Sequence, residues 1–180
     1  MNSLEQPGQL KHAAAACTIL LLIVALLALC LSSATWAADL APSELDSGIG
    51  GGSSAALSQA GTFNEASLGQ QGLIHVVSAQ QSGTNNQLQA TQLGERNAIR
   101  ASQSGDANLA TLFQNGSFNT IDLNQIGIGN TANVLQGGSG NRALVEQFGN
   151  GNSAEIQQRV MPSNVEVRQY GDRLTARVIQ

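Results

Sequence analysis

From residue 64 to the end, polar and aliphatic positions alternate on a fixed beat. In the stretch Asn108-Leu-Ala-Thr-Leu-Phe-Gln114, one parity holds Asn108, Ala110, Leu112 and Gln114, and the other holds Leu109, Thr111 and Phe113. Successive side chains of a strand point to opposite faces, so the first set lines a single face. The same pattern returns every eleven residues. It carries aliphatic residues at 66 and 68, 77 and 79, 88 and 90, and so on to Ala176 and Val178. No charged residue occupies an inward position; the arginines Arg96, Arg100, Arg142, Arg159, Arg168, Arg173 and Arg177 fall in turns or on the outward parity. Each unit therefore predicts a short strand followed by a tight turn, with the Gln-Ser-Gly-Asp-Ala type of link as the turn and its glycine free to take a positive φ.

Glutamine marks the period: Gln59, Gln70, Gln81, Gln92, Gln103, Gln114, Gln125, Gln136, Gln147, Gln158, Gln169 and Gln180 stand eleven apart without insertion or deletion. Glycine follows two residues later in ten of the first eleven units, with Val160 the exception. Asparagine follows five residues later at Asn64, Asn86, Asn97, Asn108, Asn119, Asn130, Asn141 and Asn152, while His75, Ser163 and Leu174 depart. Repetition on a fixed period is the signature of a stacked architecture.

The first aliphatic position of alternate units is mostly alanine (Ala66, Ala110, Ala132, Ala154, Ala176), and that of the intervening units is mostly β-branched (Val77, Ile99, Ile121, Val165). Two unlike strands per turn of coil produce this, so the structural period is 22 residues. The fold expected over 59–180 is all-β: a two-sheet, cross-β-like β-solenoid of 22-residue strand-turn-strand repeats with about 5.5 layers, roughly 26 Å tall at the usual strand spacing. Its interior is a thin aliphatic seam flanked by inward columns of Gln and Asn. Side-chain amides carry donors and acceptors, so identical amides stacked in register can bond along the column. Soluble solenoids usually carry polar caps; no segment here reads as one, and open in-register edges are templates for another chain.

Residues 1–37 read as a signal peptide: Lys11 and His12, an apolar run from Ala13 to Leu31, then Ala-Thr-Trp-Ala with cleavage after Ala37. The run is also long enough for an uncleaved anchor, and Cys30 raises a lipoprotein reading that Leu29 before it disfavours. Both cysteines, Cys17 and Cys30, lie in this segment, so the exported chain has neither disulfide nor thiol chemistry. Residues 38–58 are acidic, Gly/Ser-rich and off the repeat, and read as a flexible N-terminal segment, either a linker or a tag for export.

The formal net charge is −4. It is unevenly spread: residues 38–157 hold nine acidic residues and three Arg, net −6, and 158–180 hold two acidic residues and four Arg, net +2. The units 158–180 are also degenerate, with Val160, Pro162, Ser163 and Leu174 breaking the motif. Two readings stand for this end: a frayed terminal layer with solvated charges, or a surface-attachment patch of Arg159, Arg168, Arg173 and Arg177. An acidic array is a poor primary partner for nucleic acid. Catalysis needs convergent titratable groups, and the inward face has no Asp, Glu, Lys, Arg or Cys and a single His, so no catalytic, cofactor-binding or metal site is expected. His75, in an Asn position, reads as a tolerated substitution.

The motif Gln-x-Gly-x-x-Asn-x-Ala-x-x-x-Gln, intact at 103–114, 125–136, 136–147 and 147–158, resembles the curlin repeat of bacterial curli, over 59–180 in one frame. Within that family, the Phe63–Gln70 entry, the Arg-rich final units and the ending Leu-Thr-Ala-Arg-Val-Ile-Gln resemble the minor, nucleating type of subunit. The resemblance implies a secreted functional amyloid held at the outer membrane surface. It would template a major subunit into curli (pilus-like) fibres for adhesion and biofilm. It implies as partners the major curlin subunit, the export channel and its accessory proteins, the cell's outer surface and other copies of itself. The bulk fibre subunit is one alternative; a monomeric β-solenoid that binds a surface is another.

Overall fold

A computed structural model describes residues 52–159 and 162–180. The proposed signal segment and its cleavage point after Ala37 lie outside these residues. Twelve strands follow one another with no helix among the described residues: β1 (Ser54–Thr62), β2 (Glu65–Leu73), β3 (Val76–Thr84), β4 (Gln87–Glu95), β5 (Ala98–Asp106), β6 (Leu109–Ser117), β7 (Thr120–Ile128), β8 (Thr131–Ser139), β9 (Arg142–Asn150), β10 (Ser153–Gln158), β11 (Asn164–Tyr170) and β12 (Thr175–Ile179). Odd strands form one six-stranded sheet in the order β1-β3-β5-β7-β9-β11, and even strands form the other. Every pairing is parallel, with partners 22 residues apart, as in Gln81↔Gln103 and Gln92↔Gln114. The expected two-sheet solenoid is what forms, with alternate eleven-residue units in opposite sheets.

The seam between the sheets is the aliphatic set read from the alternation. Val77, Ala79, Leu88, Ala90, Ile99, Ala101, Ala110, Leu112, Ile121 and their equivalents to Val167 form one buried cluster. Branched Val77, Ile99 and Ile121 belong to the odd sheet, and Ala110, Ala132 and Ala154 to the even one.

Two details depart from the expectation. First, the stack has six layers. β1 begins at Ser54, so Ser54–Ser58, assigned above to the flexible segment, run in the first strand. The reason is periodic: Ala55 and Leu57 precede Gln59 at the two aliphatic positions and pack on the core, but counting forward from the first Gln leaves its own strand uncounted. Second, the strands continue through the predicted turn. Gly105 pairs with Gly127 and Asp106 with Ile128, because every layer bends at the same residue and the interlayer hydrogen bonds persist around the bend. Only two residues separate most strands, and the first has a left-handed backbone, as at Ala107 (φ 54) and Gly129 (φ 66).

The regular spacing of glycine has a hard steric cause. Gly105 has φ +111, and a Cβ there would lie 2.1 Å from the carbonyl oxygen of Gly127 in the next layer. The same overlap recurs at Gly61, Gly72, Gly83, Gly94, Gly116, Gly127 and Gly149, so the bend admits no side chain in those layers.

Candidate functional site

The inward amides form continuous columns. In the odd sheet, Nε2 of each glutamine donates to Oε1 of the one 22 residues later: Gln59 to Gln81 (2.6 Å), Gln81 to Gln103 (2.8 Å), Gln103 to Gln125 (2.9 Å), Gln125 to Gln147 and Gln147 to Gln169 (both 2.8 Å). In the even sheet the chain runs Gln70, Gln92, Gln114, Gln136, Gln158. From Gln70 onward, the second N–H of each amide crosses the seam to a backbone carbonyl at a strand start in the facing sheet. Examples are Gln81 to Glu65 (3.0 Å) and Gln103 to Gln87 (3.0 Å). From Gln81 to Gln158 these glutamines are buried. Among the described residues no buried side-chain N or O lacks a partner. Full satisfaction is what makes a buried polar column tolerable, since an orphaned buried amide group costs about 1–3 kcal/mol.

Asparagines make two further columns of opposite sense. The Oδ1 of Asn64 accepts from the backbone N–H and the Nδ2 of Asn86 (3.1 and 3.0 Å), Asn86 serves Asn108 in the same way, and Asn108 serves Asn130. Asn130 then accepts from the N–H of Asn152 and Asn152 from that of Leu174, both at 3.0 Å. The second column climbs through Asn97, Asn119 and Asn141. Three residues outside the Asn pattern complete it. Ser53 Oγ accepts from the His75 N–H (3.0 Å), His75 Nδ1 from the Asn97 N–H (3.4 Å), and Asn141 Oδ1 from both the N–H and Oγ–H of Ser163 (3.1 Å each). His75 is fully buried, and its Nε2 lies 3.1 Å from the Gln71 carbonyl. That leaves Nδ1 as the acceptor, which is the job an Asn oxygen does. The signal for Ser53 and Ser163 is present in the spacing, since both stand 22 residues from column members.

One predicted ladder residue is not in the ladder. Gln180 is exposed and lies beyond β12; its backbone bonds to Gln157 and Arg159. The Gln158 amide beneath it turns instead to Ser163, at 3.0 Å to the carbonyl and 2.7 Å to Oγ. The even-sheet column therefore stops at Gln158.

The four arginines proposed for attachment are not gathered on one face. Arg168 lies outward on the odd sheet and pairs with Glu146 (3.1 Å) and Glu166 (2.6 Å). Arg177, outward on the even sheet, pairs with Glu155 (3.0 Å). Arg159 donates to Gln157 Oε1 (3.0 Å), and Arg173 occupies a bend with φ 56. Exposed pairs of this kind contribute only about 0–1 kcal/mol. Beside Arg168, Tyr170 stacks on Phe148 (centroids 5.2 Å, planes 11° apart) and donates to Glu146 Oε2 (3.0 Å). That bond to a carboxylate holds the phenol proton above the ordinary phenol range.

Chemically, the site is a periodic hydrogen-bonding template. It offers backbone and amide groups in register at each layer, and the described residues hold no group of His, Cys, Asp or Glu placed to bind a metal ion. Residues 94–127 and 129–159 match the family model of the Curlin associated repeat. Comparison with curated proteins and with solved structures returns no match.

Proposed function

The chain belongs to the curlin repeat family, whose members build extracellular curli fibres by self-association, and from that premise we propose that this is the minor, nucleating subunit. In this reading it is a non-enzymatic structural protein. It is exported after cleavage at Ala37, held at the outer surface, and templates a major subunit into fibres that serve adhesion and biofilm. The outer-membrane export channel and its accessory proteins would be its partners in delivery. The observation that carries the proposal is the pairing of regular, fully bonded amide columns over most of the stack with their interruption in the Arg-rich units 158–180. A nucleator needs a regular layer to copy and an end that differs from the fibre. Attachment would use the outward Arg159 and Arg173, with Arg168 and Arg177 released from their carboxylates by a competing anionic surface.

A second reading, the bulk subunit, is favoured by the ten uninterrupted 22-residue pairings of the strands. Seeding separates the two. Substoichiometric protein added to a monomeric major subunit should abolish its lag phase, with and without residues 158–180; at the cell surface, loss of 158–180 should release the fibres. An unchanged lag rejects the nucleator.

A further inference from the structure

The two ends of the stack are not equivalent, and we infer that only the β1/β2 edge accepts another chain. This rests on the templating role proposed above. The occupant would be a different repeat chain with an intact last layer, rather than a second copy of this one.

The columns have a direction. Glutamine donates toward the C-terminal end and accepts from the N-terminal side, as Gln59 does toward Gln81. Asparagine oxygens point toward the C-terminal end and receive N–H groups from the next layer, as Asn64 does from Asn86. Among the described residues, the β1/β2 edge therefore presents two regular acceptors, Oε1 of Gln59 and of Gln70, and the backbone N–H of Asn64. An arriving layer completes this edge by supplying two Gln N–H donors and an Asn oxygen beneath Asn64.

The β11/β12 edge cannot make the matching offer. Leu174 donates its own N–H to Asn152 Oδ1 in the layer below but has no side-chain oxygen to offer the next layer. Ser163 Oγ gives its hydrogen to Asn141 and accepts from Gln158. Gln180 is exposed beyond β12, and the Gln158 amide bonds to Ser163. Only Gln169, buried and bonded to Gln147, keeps the regular arrangement. A layer stacked on this edge meets no acceptor at Leu174, and head-to-tail stacking of two copies would set Asn64 of one over Leu174 of the other. A repeat chain with Asn at that position removes the mismatch. Unpartnered buried groups penalise self-stacking and leave mixed stacking unpenalised.

The test uses protein recovered from cells as seed and, as probe, a monomeric curlin-repeat subunit with Gln and Asn at all four ladder positions of its last layer. Gln59→Lys with Gln70→Lys keeps the donors toward the next layer and removes the acceptors at the β1/β2 edge. It should lower seeding about tenfold. Leu174→Lys places the same charge on the other edge and should leave seeding within about twofold. Equal losses, or loss only in Leu174→Lys, overturn the polarity. Wild-type protein that fails to seed overturns the nucleator reading as well, so the two failures are distinguishable. Should the double variant not fold, Leu174→Asn decides the matter: it restores the missing oxygen and should speed polymerisation of the pure protein. Unchanged self-assembly in Leu174→Asn overturns the proposal.

Discussion

Replacing Gln114 by leucine removes the centre of one column at nearly constant volume. Gln114 is fully buried. Its Nε2 donates to Gln136 Oε1 (2.8 Å) and to the Ala98 carbonyl (3.1 Å), and its Oε1 accepts from Gln92 Nε2 (2.9 Å). Gln114→Leu therefore strands one donor and two acceptors in a dry seam. At about 1–3 kcal/mol for each orphaned group, less about 2 kcal/mol gained from burying an alkyl side chain, the expected loss is about 1–7 kcal/mol. The internal control is Gln89→Leu, the same chemical change at an exposed, outward position of the strand paired with β6, where an effect within about 0.5 kcal/mol is expected. Hydrogen exchange read at β4, β6 and β8 measures both, since loss of the column should raise exchange in all three strands while distant layers stay protected. Equal protection in the two variants, or an unchanged Gln114→Leu, would refute the view that the amide columns hold the layers together.

Three further outcomes follow from the same geometry. Leu112→Asp puts a carboxylate into the seam and should abolish seeding, whereas half-exposed Thr111→Asp on the opposite face should leave it nearly unchanged; comparable seeding curves would undo the assignment of faces. Gly105→Ala drives a methyl to 2.1 Å from the Gly127 oxygen, whereas Gly129→Ala meets nothing within 4 Å. The first should therefore block the strand signal in circular dichroism, and the second should cost only the left-handed backbone, about 1–2 kcal/mol. Tyr170, the single tyrosine, should ionise above the ordinary phenol value of 10.0, chiefly through its hydrogen bond to Glu146. Because its folded value is raised, that bond stabilises β11 below the unfolded phenol pKa and is lost as pH rises through the folded one. Tyrosinate absorbance should show the raised midpoint, and Glu146→Gln should lower it.

Much of this protein is legible in one dimension because its contacts repeat at a constant separation. A residue's neighbour in the stack is the residue 22 places on, so parity along the strand and identity along the column together dictate which face Ala110 and Leu112 occupy and why Gln114 recurs. The alternation of alanine with β-branched residues even assigned strands to two sheets. The bend, the ends and the substitutions depended on three-dimensional proximity instead. That Gly105 is excluded from bearing a side chain follows from a carbonyl one layer away. That His75 and Ser53 serve as asparagine oxygens follows from where a ring nitrogen and a hydroxyl reach. That the even-sheet column stops at Gln158 follows from Ser163 capturing its amide. The periodic pattern determined which residues share a column; packing decided whether each donor in that column meets an acceptor, because hydrogen bonding depends on atomic position and direction, which a residue's place in a repeat does not specify.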